Sequence, residues 1–344
     1  MKIKKIQLKE HKKIIYWLLT GCTLIFIMVV VGGITRLTHS GLSISNYKLI
    51  AGTLPPLNGA EWQAAFELYK QYPEYQKLNR GFTLADFKGI YFWEWLHRFI
   101  GRALGVVFLL PFLWFVVTRK LAGATLKKCT VLLALGAFQG FLGWYMVKSG
   151  LVDRPDVSHY RLAMHLGTAF ITFGFTLWVA LDLMYPQQKA VNKTLRALCR
   201  WGLGILLLQI VYGAFVAGLD AGWLHNHWPL MNDGQLIHKT VTTEQYPVWK
   251  NFVEGKSGVQ FVHRYLAYIV VAFIVVIWYK ARKTKRTSAQ RTGVNLLLGL
   301  VLLQFLLGVI TLVMQVPVLL GVLHQVVAFF LFAAMTFALH RFSK

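Results

Sequence analysis

The run IIYWLLTGCTLIFIMVVVGG, residues 14–33, carries no charge across twenty positions. A helix needs about 20 mostly apolar residues to cross the hydrocarbon of a bilayer. A basic start and an apolar core also describe a secretory leader. This core is too long for one, no small-x-small cleavage site follows, and further spans come later, so it reads as a retained signal anchor. Seven more such runs follow, at about 95–117, 129–147, 160–183, 201–218, 260–279, 294–314 and 320–340. At these lengths the membrane helix wins over the strand, because a helix satisfies its own backbone groups in lipid.

The chain sets 37 Lys and Arg against 13 Asp and Glu in 344 residues. Such an excess fits either a nucleic-acid binder or a polytopic membrane protein. Its distribution decides for the membrane. Residues 1–13 hold six lysines, and KARKTKRTSAQR at 280–291 holds six basic residues. Arg119, Lys120, Lys127 and Lys128 mark a second inner loop, and Lys189, Lys193, Arg196 and Arg200 a third. Arg341 and Lys344 end the chain, and Glu10 is the only acid in these segments. The other loops carry nearly all the acids. By the positive-inside rule both termini lie in the cytoplasm. The basic residues report topology, and no nucleic-acid partner is expected.

Two outer segments, roughly 34–94 and 219–259, are long and rich in Trp, Tyr, Pro and Gly. AEWQAAFELYKQYPEYQ, within 60–76, reads as a short amphipathic helix on the outer surface. Cys22, Cys129 and Cys199 fall in or beside spans, so no disulfide and no metal-cluster spacing is expected.

The chain also repeats itself. WEWLHRFIGRALG at 93–105 parallels VQFVHRYLAYIV at 259–270, and LLALGAFQGFLGWYMV at 132–147 parallels LLGLVLLQFLLGVITLV at 297–313. YRLAMHLGTAF at 160–170 parallels LLGVLHQVVAFF at 319–330, and VVVGGITRLTHSGLS at 29–43 parallels IVYGAFVAGLDAGW at 210–223. An even number of spans per half makes these parallel repeats about an axis normal to the membrane. The expected architecture is an all-α polytopic membrane domain of eight transmembrane helices. It forms two four-helix bundles, residues 1–190 and 191–344, integrated into a single domain.

Four histidines recur at corresponding places: His97 and His165, then His263 and His324. The topology sets all four at similar depth near the outer side. One histidine at a helix end is ordinarily an interfacial residue, but four at equivalent positions point to ligation. Zinc ordinarily needs a third or fourth ligand, and the second half offers no buried acid near His263 and His324. A porphyrin iron needs only two axial imidazoles and an apolar slot between facing helices. The small residues of GAFQGFLG and QFLLGV suit such a slot. Arg98 and Arg264, each one residue after a histidine, and Arg36 and Arg161 are candidate propionate contacts. Glu94 lies three residues before His97 on the same helical face, and Gln260 takes that place before His263. One half therefore has a carboxylate beside its metal site, and the division suggests a reacting centre in the first half with an electron-transfer or structural cofactor in the second.

The chain resembles the haem A synthase family along essentially its whole length, in the alphaproteobacterial and mitochondrial form without loop disulfides. GGITRLTHSGLS at 32–43, GIYFWEWLHR at 89–98, GWYMVKSGL at 143–151 and VSHYRLAMHL at 157–166 carry the resemblance. VAGLDAG at 216–222, QFVHR at 260–264 and LGVITLVMQVPVLLGVLHQ at 307–325 continue it. The resemblance implies an oxidoreductase that oxidises the C8 methyl of haem O to a formyl group with dioxygen and an external electron donor, giving haem A for terminal oxidases. It implies haem b as cofactor on His263 and His324, the substrate haem on His97 and His165, and Glu94 as the essential acid. It places the protein in the bacterial inner membrane as a multi-pass protein with its haem sites toward the periplasm. By pathway logic a haem O synthase and the electron donor are candidate partners. The alternative is a di-haem electron-transfer cytochrome, which uses the same histidines and has no need of Glu94. His225 and His227 in GWLHNHWPLMNDG at 222–234 lack a third ligand, and His39 and His159 are not expected to be axial ligands.

Overall fold

The computed structural model describes residues 2–44, 53–148, 156–185, 191–245 and 247–343. Lys189 and the end of GWYMVKSGL lie outside the described residues, as does part of the first outer segment. Every regular element described is helical. The long helices are α1 (Lys2–Leu37), α4 (Leu84–Val117), α5 (Gly123–Lys148), α6 (His159–Met184), α7 (Lys193–Gly218), α9 (Lys256–Arg282), α10 (Ser288–Val313) and α11 (Val318–Ser343). The short helices α2 (Gly59–Tyr69), α3 (Pro73–Lys77) and α8 (Thr240–Thr243) belong to the two outer segments. All eight long helices are apolar enough to cross a membrane, and the protein is a multi-pass membrane protein.

Local chemistry sets the helix ends. Thr83 and Asp86 cap each other reciprocally at the start of α4, as Thr287 and Gln290 do at α10. The Asn192 side chain accepts from the Leu195 amide and opens α7. Because α4 begins at its capping box, it starts about three turns before the apolar run at 95–117. His97 therefore lies well inside α4 while remaining at the outer start of the apolar run.

The outer stretch 60–76 forms two helices, since Pro73 begins a new one. They pack on the extension of α4: Phe66 and Tyr69 bury against Phe87 and Ile90. The Tyr69 hydroxyl donates to Glu74 at 3.0 Å, and Asn79 donates to Tyr69 at 2.8 Å.

Helix α1 packs against α4, α6 and α11, and α7 against α6, α9 and α11. One core of buried side chains runs through both halves of the chain. It joins Cys22, Ile25, Phe170 and Phe173 to Leu206, Ile274, Phe329 and Met335. The Phe173 and Phe329 rings are 4.1 Å apart. Cys22, Cys129 and Cys199 are free and buried, and behave as small apolar residues. Two polar links join distant segments. Arg36 pairs with Asp220 at 2.9 Å, and Asp182 holds both Lys128 at 2.5 Å and the fully buried His340 at 3.1 Å.

Candidate functional site

Each of the four recurring histidines stands against a glycine of the preceding long helix. A Cβ on Gly32 of α1 would lie 3.2 Å from Nε2 of His97 on α4. On Gly143 of α5 it would lie 3.3 Å from Cε1 of His165 on α6, and on Gly213 of α7 3.2 Å from Cε1 of His263 on α9. On Gly308 of α10 it would lie 2.9 Å from Cε1 of His324 on α11. Ordinary contact begins near 3.5 Å, so a hydrogen at these positions is what lets each ring seat on its neighbouring helix. His97 turns Nε2 toward its glycine, while the other three turn Cε1.

A glutamine precedes three of these glycines by one helical turn, in QGFLG, QIVYG and QFLLG. Gln209 Nε2 lies 2.9 Å from the His263 carbonyl oxygen and 3.2 Å from its Nδ1. Gln304 Nε2 lies 3.2 Å from both ring nitrogens of His324. Gln139 Nε2 donates to the His165 carbonyl at 2.9 Å, and among the described residues Nδ1 of that ring has no partner. The fourth position, ahead of Gly32, is Met28. Sequence reasoning overlooked these glutamines, although the shared spacing was visible.

The His263 and His324 rings face each other with centres 6.5 Å apart and planes 75° apart. Two imidazoles bound to one metal, each through a bond of about 2 Å, bring their ring centres about 6 Å apart. The pair therefore has the spacing a shared axial metal requires. Its surroundings hold unmet polar groups as well. Among the described residues, both amide atoms of Gln260 and Nε of Arg264 are buried without a hydrogen-bond partner. Such groups are costly to bury alone and mark space for a polar occupant. The donor set and its spacing fit a porphyrin iron with propionates nearby.

Glu94, only 3% exposed, sits among donors. Its Oε2 accepts from Ser43 Oγ at 2.7 Å and from the Ile44 amide at 2.8 Å. Its Oε1 pairs with Arg98 at 2.5 Å, and Arg98 also donates to the Ile44 carbonyl at 3.1 Å. The loop after α1 is thereby tied to α4 one turn from His97. Gln260, at the corresponding place in α9, has none of these bonds.

The arginines differ in their engagement. Arg36 donates to the Ala217 carbonyl, at 2.9 Å from Nε, besides pairing with Asp220. Arg161 donates to the Tyr145 carbonyl at 2.7 Å and lies 3.8 Å over the centre of that ring. Arg264 caps the loop after α7, donating to the carbonyls of His225, His227, Pro229 and Leu230. Three other histidines are spent on local structure. His159 contacts the Val253 carbonyl at 2.9 Å, His225 contacts Ser257 at 3.0 Å, and His227 contacts Asn232 at 2.8 Å.

Fold and site together define a polytopic membrane protein built around half-buried imidazoles, each packed helix against helix on a glycine. Residues 15–336 match the COX15-CtaA family, described as cytochrome oxidase assembly protein. The chain belongs to that family. It is 59% identical to the heme A synthase of Flavobacterium johnsoniae, over 98% of this chain and 99% of the relative. It is 58% identical to that of Flavobacterium psychrophilum, over 98% and 100%. Its identity to the heme A synthase of Parvibaculum lavamentivorans is 44%, over 97% and 96%.

Proposed function

We propose that this protein is a haem A synthase that oxidises the C8 methyl of haem O to a formyl group within the membrane. The conversion proceeds as two hydroxylations. Each inserts one atom of dioxygen and consumes two electrons and two protons, the other oxygen atom leaving as water. The resulting gem-diol loses water to give the aldehyde. The electrons come from an external donor. The haem sites face the periplasmic side of the bacterial inner membrane, and both termini face the cytoplasm.

The two halves, 1–190 and 191–344, divide the work. His97 and His165 hold the substrate haem. His263 and His324 hold haem b, which supplies one-electron transfer when bound. The observation that carries this reading is a doubled histidine arrangement with a carboxylate in one half only. Glu94 stands a turn from His97, and its fixed donors hold the carboxylate in place, where it stabilises positive charge developing beside the substrate or receives a proton through an ordered water. Arg36, Arg98, Arg161 and Arg264 are the propionate contacts, Arg98 the weaker counterpart of Arg264 because it is shared with Glu94. The unpaired Nε of Arg264 and the free amide of Gln260 support that assignment in the second half. A haem O synthase is the partner that delivers substrate.

The test is expression with a haem O supply, followed by haem extraction and mass analysis. Wild-type protein yields formyl haem, and Glu94→Gln yields haem O with the resident haem b retained. Formyl haem undiminished in Glu94→Gln removes that residue from the chemistry. Two retained haems with no formyl product from the wild type, given oxygen and reductant, identify a di-haem electron-transfer cytochrome instead.

A further inference from the structure

The two halves meet where α1 packs against α11, and the facing positions run antiparallel. A Cβ on Gly321 would stand 2.7 Å from Cδ1 of Leu37, and one on Gly33 would overlap Oε1 of Gln325. Further down, the Phe26 ring centre lies 5.2 Å from those of Phe329 and Phe330. Gln325 is the polar member of this set. Its Nε2 donates to the Val29 carbonyl at 2.9 Å. Within α1 that oxygen also accepts the Gly33 amide four residues on, and a carbonyl has lone pairs for both donors. The Gln325 oxygen occupies the hollow over Gly33, from which any side chain there would exclude it. The chain neighbours of this contact belong to the two sites. Gln325 follows His324, and Gly33 follows Gly32, the seat of the His97 ring. Covalent and hydrogen bonds thus run unbroken from a second-half histidine to the glycine that seats a first-half one.

The repeat supplies the comparison. Leu166 follows His165 as Gln325 follows His324, and Ala214 follows Gly213, the seat of His263, as Gly33 follows Gly32. There Leu166 packs into an apolar cluster with Ala163, Ala214, Phe215 and Val259. Each seam therefore links a histidine of one half to the seat of a histidine in the other, and at these positions the α1–α11 seam does so through a hydrogen bond. We propose that Gln325 is a positioning residue for electron transfer, bridging the two haem sites by way of His324, Gln325, the Val29–Gly33 turn of α1 and His97. The proposal rests on the reading that haem b binds in the second half and the substrate haem in the first.

One electron passes at a time: the resident iron goes from ferrous to ferric as the first-half iron goes from ferric to ferrous. Tunnelling weakens less along bonds and hydrogen bonds than across a gap between side chains. Leucine at 325 fills similar space but breaks the bonded route. The experiment uses the full-length protein in nanodiscs, with haem b in the second half and haem A, which absorbs at longer wavelength, in the first. A laser flash on a soluble flavin delivers less than one electron per protein, and absorbance follows its exchange between the haems. The midpoint potentials and low-spin spectra are measured alongside. Gln325→Leu slows the exchange and leaves both potentials and both spectra at wild-type values. Gly33→Ala evicts the Gln325 oxygen from the other side of the same contact and slows it too. The double variant is no slower than the slower single one, because both changes remove one interaction. Phe26→Leu alters the same seam away from the bridge and leaves the rate unchanged.

A wild-type rate in Gln325→Leu overturns the proposal, as does a slowing that a shifted midpoint potential accounts for. So does an equal slowing in Phe26→Leu, which makes the effect one of seam packing, or additive slowing in the double variant. Failure of the underlying reading looks different. If the wild-type protein shows no exchange between two haems, the two-site assignment itself is wrong, whatever residue stands at 325.

Discussion

Replacing Gly308 by alanine probes how closely the resident site is built. The added Cβ would stand 2.9 Å from Cε1 of His324. Carbon atoms in good contact lie about 3.5–4.0 Å apart, so the ring has to retreat by about half an ångström or more. With a metal between His324 and His263 that retreat is opposed by the metal–nitrogen bond, and α10 or α11 must shift instead. Overpacking of this kind costs about 1–3 kcal/mol. At about 1.4 kcal/mol per decade, haem retention weakens roughly 5- to 150-fold. The assay is haem transfer from purified Gly308→Ala to excess apomyoglobin, followed by loss of the low-spin spectrum. Gly213→Ala, with 3.2 Å to His263, is the milder case. Gly299→Ala is the internal control: it lies on the same helix as Gly308, and a Cβ there meets nothing within 4 Å. Equal haem loss in the Gly299 and Gly308 variants, or wild-type retention in Gly308→Ala, would refute the idea that ring-on-glycine packing sets the site.

The two halves should separate spectroscopically: His263→Ala or His324→Ala removes the resident low-spin spectrum, whereas His97→Ala or His165→Ala spares it and stops conversion of haem O. The reverse pattern exchanges the assignments of cofactor and substrate. Gln260→Glu creates in α9 the acid–arginine spacing of Glu94 and Arg98, and is expected to speed loss of the resident haem in the same transfer assay. A slower loss contradicts the charge argument behind it. Burial pushes the Glu74 carboxyl up to about 8 from the ordinary 4.5; the bond from Tyr69 opposes the rise and the charges of Glu94 and Asp156 add to it. Native protein thus holds this proton between those values while the unfolded chain does not. The contribution is full below about pH 4.5 and lost as pH rises through about 8. Hydrogen exchange in α2 and α3, corrected for intrinsic rates, should accelerate toward pH 8 in the wild type and lose that dependence in Glu74→Gln.

The eight spans were legible because an apolar run of this length has few alternatives to a helix in lipid. Their outer limits were less so. Hydropathy falls before Trp95 because Lys88 and Glu94 interrupt it, yet the helix runs on to Thr83, and the capping pair in TLAD at 83–86 was the available signal. Pro73 similarly marked the break between α2 and α3. Glu94 stood out in sequence, but its partners did not. Ser43 and Ile44 lie some fifty residues away, and only tertiary packing brings them to the carboxylate. The links from Arg36 to Asp220 and from Asp182 to His340 cross still longer separations. The glutamines were a different kind of omission. QGFLG, QIVYG and QFLLG share one spacing, but a glutamine inside an apolar run gives no hint of direction until the facing histidine is known.

The same His-Arg dipeptide follows a glutamate in one half and a glutamine in the other, and the electrostatic consequence exceeds the loss of one charge. Arg98 is answered at 2.5 Å by Glu94, so the pair presents little net charge to an arriving porphyrin carboxylate. Recruiting Arg98 to a propionate would mean sharing it with Glu94, in a medium where parting such ions is expensive. Arg264 meets only backbone carbonyls among the described residues, and its Nε is unpaired. Carbonyl dipoles solvate a cation but do not cancel it, so an anionic propionate there gains a full Coulombic partner in a low-dielectric setting. Haem should therefore bind more firmly in the second half and exchange more readily in the first, which is the order of affinities that a retained cofactor and a substrate that must turn over require. On the proposed assignment of the halves, the carboxylate of Glu94 serves twice: it neutralises the arginine that would otherwise trap the product, and it places an acceptor beside the haem whose methyl is oxidised.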